Sequence, residues 1–171
     1  MQETVFLIGF MGSGKSTIAR LLREKLGAKL VEMDERIVKE QGMSINDIFA
    51  QFGEAHFRDI ESKLVCDILA EGNAVVSCGG GVVVREENVR NMKSKGTIVY
   101  LTATPETIFE RVKNSTDRPI LNGNMNVEYI RGLMDKRKDL YKGACDIDIA
   151  TDGKTKEEIC DEIISKLQKK E

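Results

Sequence analysis

An apolar run, "TVFLIGF" (4–10), leads directly into "GFMGSGKST", and the amphipathic stretch "STIARLLREKLG" continues from it without a break. Gly9, Gly14, Lys15 and Ser16 satisfy the spacing G-x-x-x-x-G-K-[ST]. The run is short, almost continuously apolar and partly β-branched, which predicts a strand buried on both faces. Ile18, Leu21, Leu22 and Leu26 then fall on one helical stripe, which Gly27 ends. Glycines between a strand and a helix let the backbone wrap an anion with its N–H groups pointing inward, at the positive end of the helix. The pattern therefore predicts a nucleotide cradle made of Gly12, Ser13, Gly14, Lys15, Ser16 and Thr17. Lys15 supplies a point charge for the β- and γ-phosphates, and the Ser16 hydroxyl is a ligand for Mg²⁺.

The rest of the chain alternates in the same way. Short apolar strands are expected at 28–33, 74–78 and 97–103, with an alternating, edge-like strand at 145–150. Helical patterns occupy 34–41, 45–51, 54–71, 86–95, 105–113, 127–142 and 155–169. Strands alternating with helices imply a parallel sheet covered on both faces. Five strands in 171 residues make one compact doubly wound domain, spanning 1–171. Ligands of such sheets sit where the carboxyl ends of the strands open. The polar segment "NSTDRPILNGNMN" (114–126) is too long for a simple connection and reads as functional or disordered.

Composition removes several classes. A net charge of −2 argues against a nucleic-acid partner, which would call for a basic excess. No apolar run approaches the roughly 18 residues that a membrane span requires. The first residues, "MQETVFLIGF", lack a basic leader and a cleavage site, so no signal peptide is expected. Cys66, Cys78, Cys145 and Cys160 form no C-x-x-C pair, and reduced, mostly buried thiols of a cytoplasmic protein are expected. No N-K-x-D guanine-reading tetrapeptide occurs, which disfavours a GTPase switch. A small-molecule kinase is the economical reading.

Acceptor-side candidates follow. In "VEMDERI" (31–37), Glu32 and Asp34 stand two residues apart. If 28–33 is a strand beside the first, both acids face the γ-phosphate region; the alternative is acids that start a helix and are stabilised by its dipole. In "FGEAHFRDIE" (52–61), Arg58 lies four residues after Glu54 and three before Glu61, so a surface ion-pair lattice competes with a carboxylate clamp. His56, the only histidine, gets no role, because phosphoryl transfer rests mainly on positioning and electrostatics. Gly79, Gly80 and Gly81 close the third strand, and three glycines imply close approach of a ligand to bare backbone. Arg118 and Arg137 are further candidate cations.

Taken in order, "GFMGSGKST", Asp34, "FRDIE", "GGG", "RPIL" and "R-x-x-LY" make nearly the whole chain similar to the shikimate kinases. The resemblance implies a three-layer α/β/α P-loop NTPase fold. It would be nucleoside monophosphate kinase-like, with a central five-stranded parallel sheet, a shikimate-binding region at about 33–61 and a mobile lid at about 112–126. It implies that ATP phosphorylates the 3-hydroxyl of shikimate, with Mg²⁺, on the route to aromatic amino acids. It assigns Asp34 to the acceptor hydroxyls, and Arg58 and Arg137 to the shikimate carboxylate. Gly79, Gly80 and Gly81 would line the substrate. Arg118 would neutralise phosphate charge from the lid, and Arg111 would stack on adenine. Catalysis would rest on Asp34, Lys15 and Arg118, and the metal on Ser16 and Glu32. A cytoplasmic monomer without nucleic-acid or membrane partners is expected. Two positions depart from the family pattern: Glu32 stands where aspartate is usual, and Asp139 where proline is common. A kinase of another hydroxy acid such as gluconate, or a nucleotide switch without a small acceptor, are the alternatives.

Overall fold

The structure is a computed structural model that describes residues 3–113 and 126–170. It runs β1 (Thr4–Ile8), α1 (Lys15–Leu26), β2 (Lys29–Glu32), α2 (Met33–Gln41), α3 (Ile45–Phe52), α4 (Glu54–Glu71) and β3 (Ala74–Ser77). A 3₁₀ turn at Val82–Val84 follows, then α5 (Glu86–Lys95), β4 (Gly96–Thr102), α6 (Pro105–Val112), α7 (Val127–Ala144), β5 (Ile147–Ala150) and α8 (Lys156–Lys170). All pairings are parallel, in the order β2-β3-β1-β4-β5.

The expected placement of the second strand beside the first is corrected by this order. β3 lies between them, because "AVVS" is buried at every position and suits the interior of a sheet. "KLVE" begins and ends in charged residues and takes the edge. The 3₁₀ turn after the glycine run was also not legible from periodicity.

Side chains of β1 alternate between the two outer layers, as a two-residue period demands. Val5 and Leu7 pack with Ile18 and Leu22 of α1 and with Ile159 and Ile163 of α8. Phe6 and Ile8 face the other way, against Leu64 and Ile68 of α4, Met92 of α5 and Tyr141 of α7. Burying side chains of this size contributes roughly 1.5–3 kcal/mol each. A third cluster, Phe10 with Ile108, Val112 and Ile130, ties the P-loop to α6 and α7. There Gly12 adopts a left-handed φ of 75°, and a Cβ on it would come within 2.8 Å of Val112 Cγ1. α6 starts cleanly because Thr104 caps the Thr107 N–H at 3.2 Å, with Pro105 in the first turn.

Parallel strands place β1, β2 and β3 so that their carboxyl ends open on one side. The P-loop, the start of α2 and the glycine run emerge there together.

Candidate active site

A cavity of about 980 Å³ opens at those strand ends. Gly12, Gly14, Lys15, Ser16 and Thr17 line its P-loop end, with Arg111 beside them. Ser13 does not line it. Its hydroxyl is buried beneath the loop, without a hydrogen-bond partner among the described residues, close under Gly9. Ser13 therefore meets a ligand, if at all, through backbone. Lys15 folds back over the loop and donates to the carbonyls of Gly9 at 2.6 Å and Phe10 at 3.2 Å. The Ser16 hydroxyl lies 3.3 Å from that of Ser77, the last residue of β3.

Glu32 ends β2, and Asp34 and Glu35 fall in the first turn of α2, so the dull reading of these acids is locally true. It does not exclude the chemical one, because Glu32 and Asp34 both line the cavity. Their surroundings differ. Glu32 accepts from Arg20 at 3.3 Å, and its carboxylate beside Glu35 pushes the Glu35 carboxyl above its ordinary range. Asp34 instead reaches the glycine run, its Oδ1 lying 2.9 Å from where a Cβ on Gly79 would sit.

Glu61 Oε2 approaches the same point at 3.0 Å, and has no hydrogen-bond partner among the described residues. Its other oxygen accepts from Arg58 Nη1 at 2.9 Å. Arg58 also reaches Glu54 at 3.4 Å and lies over the Phe57 ring, 5.3 Å from its centroid. Arg58 is 8% exposed and Glu61 1%, so the Arg58–Glu61 part of the lattice expected at the surface is buried, while Glu54 stays exposed. Burial pushes the Glu61 carboxyl up against the opposing pull of Arg58.

The three glycines accommodate protein side chains as much as any ligand. A Cβ on Gly81 would collide with the Arg58 guanidinium, and one on Gly80 would stand 3.4 Å from Arg137 Nη1. Arg58 and Arg137 thus converge on adjacent backbone units from two different helices. Tyr141, one turn beyond Arg137 on α7, donates its hydroxyl to the Gly80 carbonyl at 2.5 Å. Its ring stacks on Tyr100 at 5.1 Å. Burial raises the Tyr141 phenol, and the charge of Arg137 opposes that rise. Asp139 is exposed, and among the described residues no ion pair joins it to Arg137.

Sequence reasoning gave no site role to Glu61, Tyr141 or Ser77. The first two had a signal, since each lies three or four residues from a candidate arginine on the same helix face. Ser77 had none, because its contact depends on β3 entering beside β1. Arg111 donates to the Gly12 carbonyl at 3.0 Å, which fixes it to the P-loop rim. His56 is exposed and stacks on Phe52. Arg118, and all but the ends of the lid expected at about 112–126, lie outside the described residues.

Among the described residues no three His, Cys, Asp or Glu side chains cluster as a metal site. The donors that line the cavity near the P-loop are hard oxygens: the Ser16 hydroxyl with the carboxylates of Glu32 and Asp34. Such a set fits Mg²⁺, which takes few protein ligands and keeps phosphate and water oxygens.

The family model described as shikimate kinase matches residues 11–168. The chain belongs to the shikimate kinase family. The shikimate kinase of Persephonella marina is 45% identical over 166 residues, covering 97% of this chain and 99% of that protein. Among solved structures, shikimate kinase from Acinetobacter baumannii in complex with shikimate superposes with a TM-score of 0.92 at 27% identity. That match covers 100% of this chain and 96% of the other. Shikimate kinase from Aquifex aeolicus gives 0.82 at 38% identity, covering 96% of each chain. Membership in the shikimate kinase family makes the protein an ATP-dependent small-molecule kinase of aromatic amino acid biosynthesis, with the P-loop kinase fold. Among the described residues, no helix is long and apolar enough to cross a membrane.

Proposed function

We propose that this cavity holds ATP at the P-loop end and shikimate at the glycine end, and that Asp34 acts on the attacking 3-hydroxyl. The observation that carries this reading is the convergence of Arg58 and Arg137 on Gly81 and Gly80, beside Asp34 at Gly79. Two guanidinium groups suit a carboxylate of the acceptor. Asp34 then accepts the proton of the hydroxyl that bonds to the γ-phosphorus, while the bond to the β,γ-bridging oxygen breaks and ADP leaves. Lys15 leaves the P-loop carbonyls for the β- and γ-phosphates, and Arg118 from the lid offsets charge on the transferring group. Mg²⁺, when bound, supplies charge neutralisation across the phosphates. Ser16 would hold it directly, and Glu32 would hold it through water. Arg111 contributes to the adenine end of the nucleotide site. The reading takes residues 1–171 as a single domain and the enzyme as a cytoplasmic monomer without nucleic-acid or membrane partners.

Release of ADP, followed in a coupled assay against shikimate, gluconate and other hydroxy acids, tests the proposal. Turnover is expected with shikimate and Mg²⁺, with little release when no acceptor is present. Faster turnover of gluconate would favour the other acceptor class. Slow hydrolysis indifferent to every acceptor would favour a nucleotide switch.

A further inference from the structure

Arg111 occupies the last turn of α6 and is exposed, yet its guanidinium is fixed along one edge. Nη1 donates to the Gly12 carbonyl at 3.0 Å, and Nη1 and Nη2 both donate to Thr151 Oγ1 at 3.3 Å. Among the described residues, Thr151 is the only side chain that hydrogen-bonds Arg111. Thr151 follows β5 directly and is 1% exposed. Its own proton is committed, because Oγ1 donates to the Thr102 carbonyl at 2.8 Å. The hydroxyl lone pairs therefore remain for Arg111, and the hydroxyl accepts from it without rotating away.

We propose that Thr151 is a positioning residue for nucleotide binding: it holds the plane of the Arg111 guanidinium beside the P-loop, leaving the faces of that plane open to the cavity. The inference rests on the proposed nucleotide role of Arg111. In-plane hydrogen bonds consume the edge of a guanidinium and leave its faces available for stacking. An arginine without that bond spends rotamer entropy when it orders against a ligand. Thr151→Val is close to isosteric, and the Thr102 carbonyl keeps the bond it receives from the Thr151 N–H at 2.9 Å. The substitution removes the acceptor while preserving the packing and the backbone ladder.

The experiment measures ADP affinity by calorimetry for the full chain and for Thr151→Val, Thr151→Ser, Arg111→Ala and the double variant Thr151→Val/Arg111→Ala. Melting temperature and shikimate affinity are recorded for each. Thr151→Val is expected to weaken ADP binding by about three- to tenfold, the scale of one hydrogen bond. Thr151→Ser restores affinity, shikimate binding does not change, and Thr151→Val costs nothing further once Arg111 is absent. If Thr151→Val binds ADP normally while Arg111→Ala does not, the role of Thr151 is wrong and that of Arg111 stands. Normal ADP binding by Arg111→Ala overturns both. An equal loss with and without Arg111 overturns the proposal, as does a lowered melting temperature with weakened shikimate binding that serine fails to rescue.

Discussion

Arg58 and Glu61 form a buried ion pair within one turn of α4, 2.9 Å between Nη1 and Oε1, and the guanidinium fills the volume a side chain on Gly81 would need. A cation, its counter-charge and a bare backbone unit are therefore interdependent. The glycine leaves room for the arginine, and the glutamate holds it there.

Gly81→Ala tests that dependence. Gly81 has a φ of −102°, which alanine adopts without strain, so the effect isolates the clash with Arg58. Overpacking costs roughly 1–3 kcal/mol, which corresponds to a rise in KM for shikimate of about 5- to 150-fold if it falls on binding. ADP affinity stays near its original value. Steady-state kinetics with both substrates reads this directly, and an unaltered KM would show that Arg58 does not hold the acceptor.

Glu61 makes stability depend on pH. Its folded carboxyl titrates above the ordinary value of 4.5, because burial outweighs the attraction of Arg58. Between 4.5 and the raised folded value, the native state binds more protons than the unfolded state, so stability falls as pH rises through that window. Urea midpoints across this range should show the slope, and Glu61→Gln should remove it. Glu61→Ala, which strands the buried guanidinium, is expected to cost about 3–5 kcal/mol at neutral pH.

Tyr141→Phe deletes the donor to the Gly80 carbonyl and the contact with Arg137. One hydrogen bond of this kind contributes about 1 kcal/mol, so KM for shikimate should rise roughly fivefold with ADP affinity preserved. A change confined to melting temperature would reduce Tyr141 to a packing residue.

Asp34→Asn keeps the shape of the side chain but removes the base. The expected loss in kcat is about 10²–10⁴-fold, with ADP binding retained. Near-normal turnover would move the proton acceptor elsewhere.

Glu32 and Ser16 separate on magnesium dependence. Because Arg20 already pairs with Glu32, Glu32→Gln should raise the Mg²⁺ concentration for half-maximal rate less than Ser16→Ala does. The reverse order would make Glu32 the principal ligand.

Elements whose signal is local were legible in the sequence. The strand, P-loop and α1 occur as the spacing of Gly9, Gly14, Lys15 and Ser16 requires, and the alternation of "IDIA" marked an edge strand correctly. What depends on strand order was not legible, since no short-range pattern says that β3 enters between β1 and β2. The same limit hid Ser77 and a second demand on the glycines, which also line the cavity. Their need for space comes from Arg58 and Arg137, which lie far from them in the chain. Arg58 and Glu61 were paired correctly by helical spacing, but spacing carries no information on burial.

Ser77 touches Ser16 at the nucleotide end, and within a few residues the same strand exit meets Asp34, Arg137 and Arg58 at the acceptor end. In the proposed reading, one short stretch of backbone, seated between its two neighbours in the sheet, spaces the two substrates. The gap between donor and acceptor is set by covalent geometry, and inserting or deleting a single residue between Ser77 and Gly81 would throw the two substrates out of step while leaving each half-site intact.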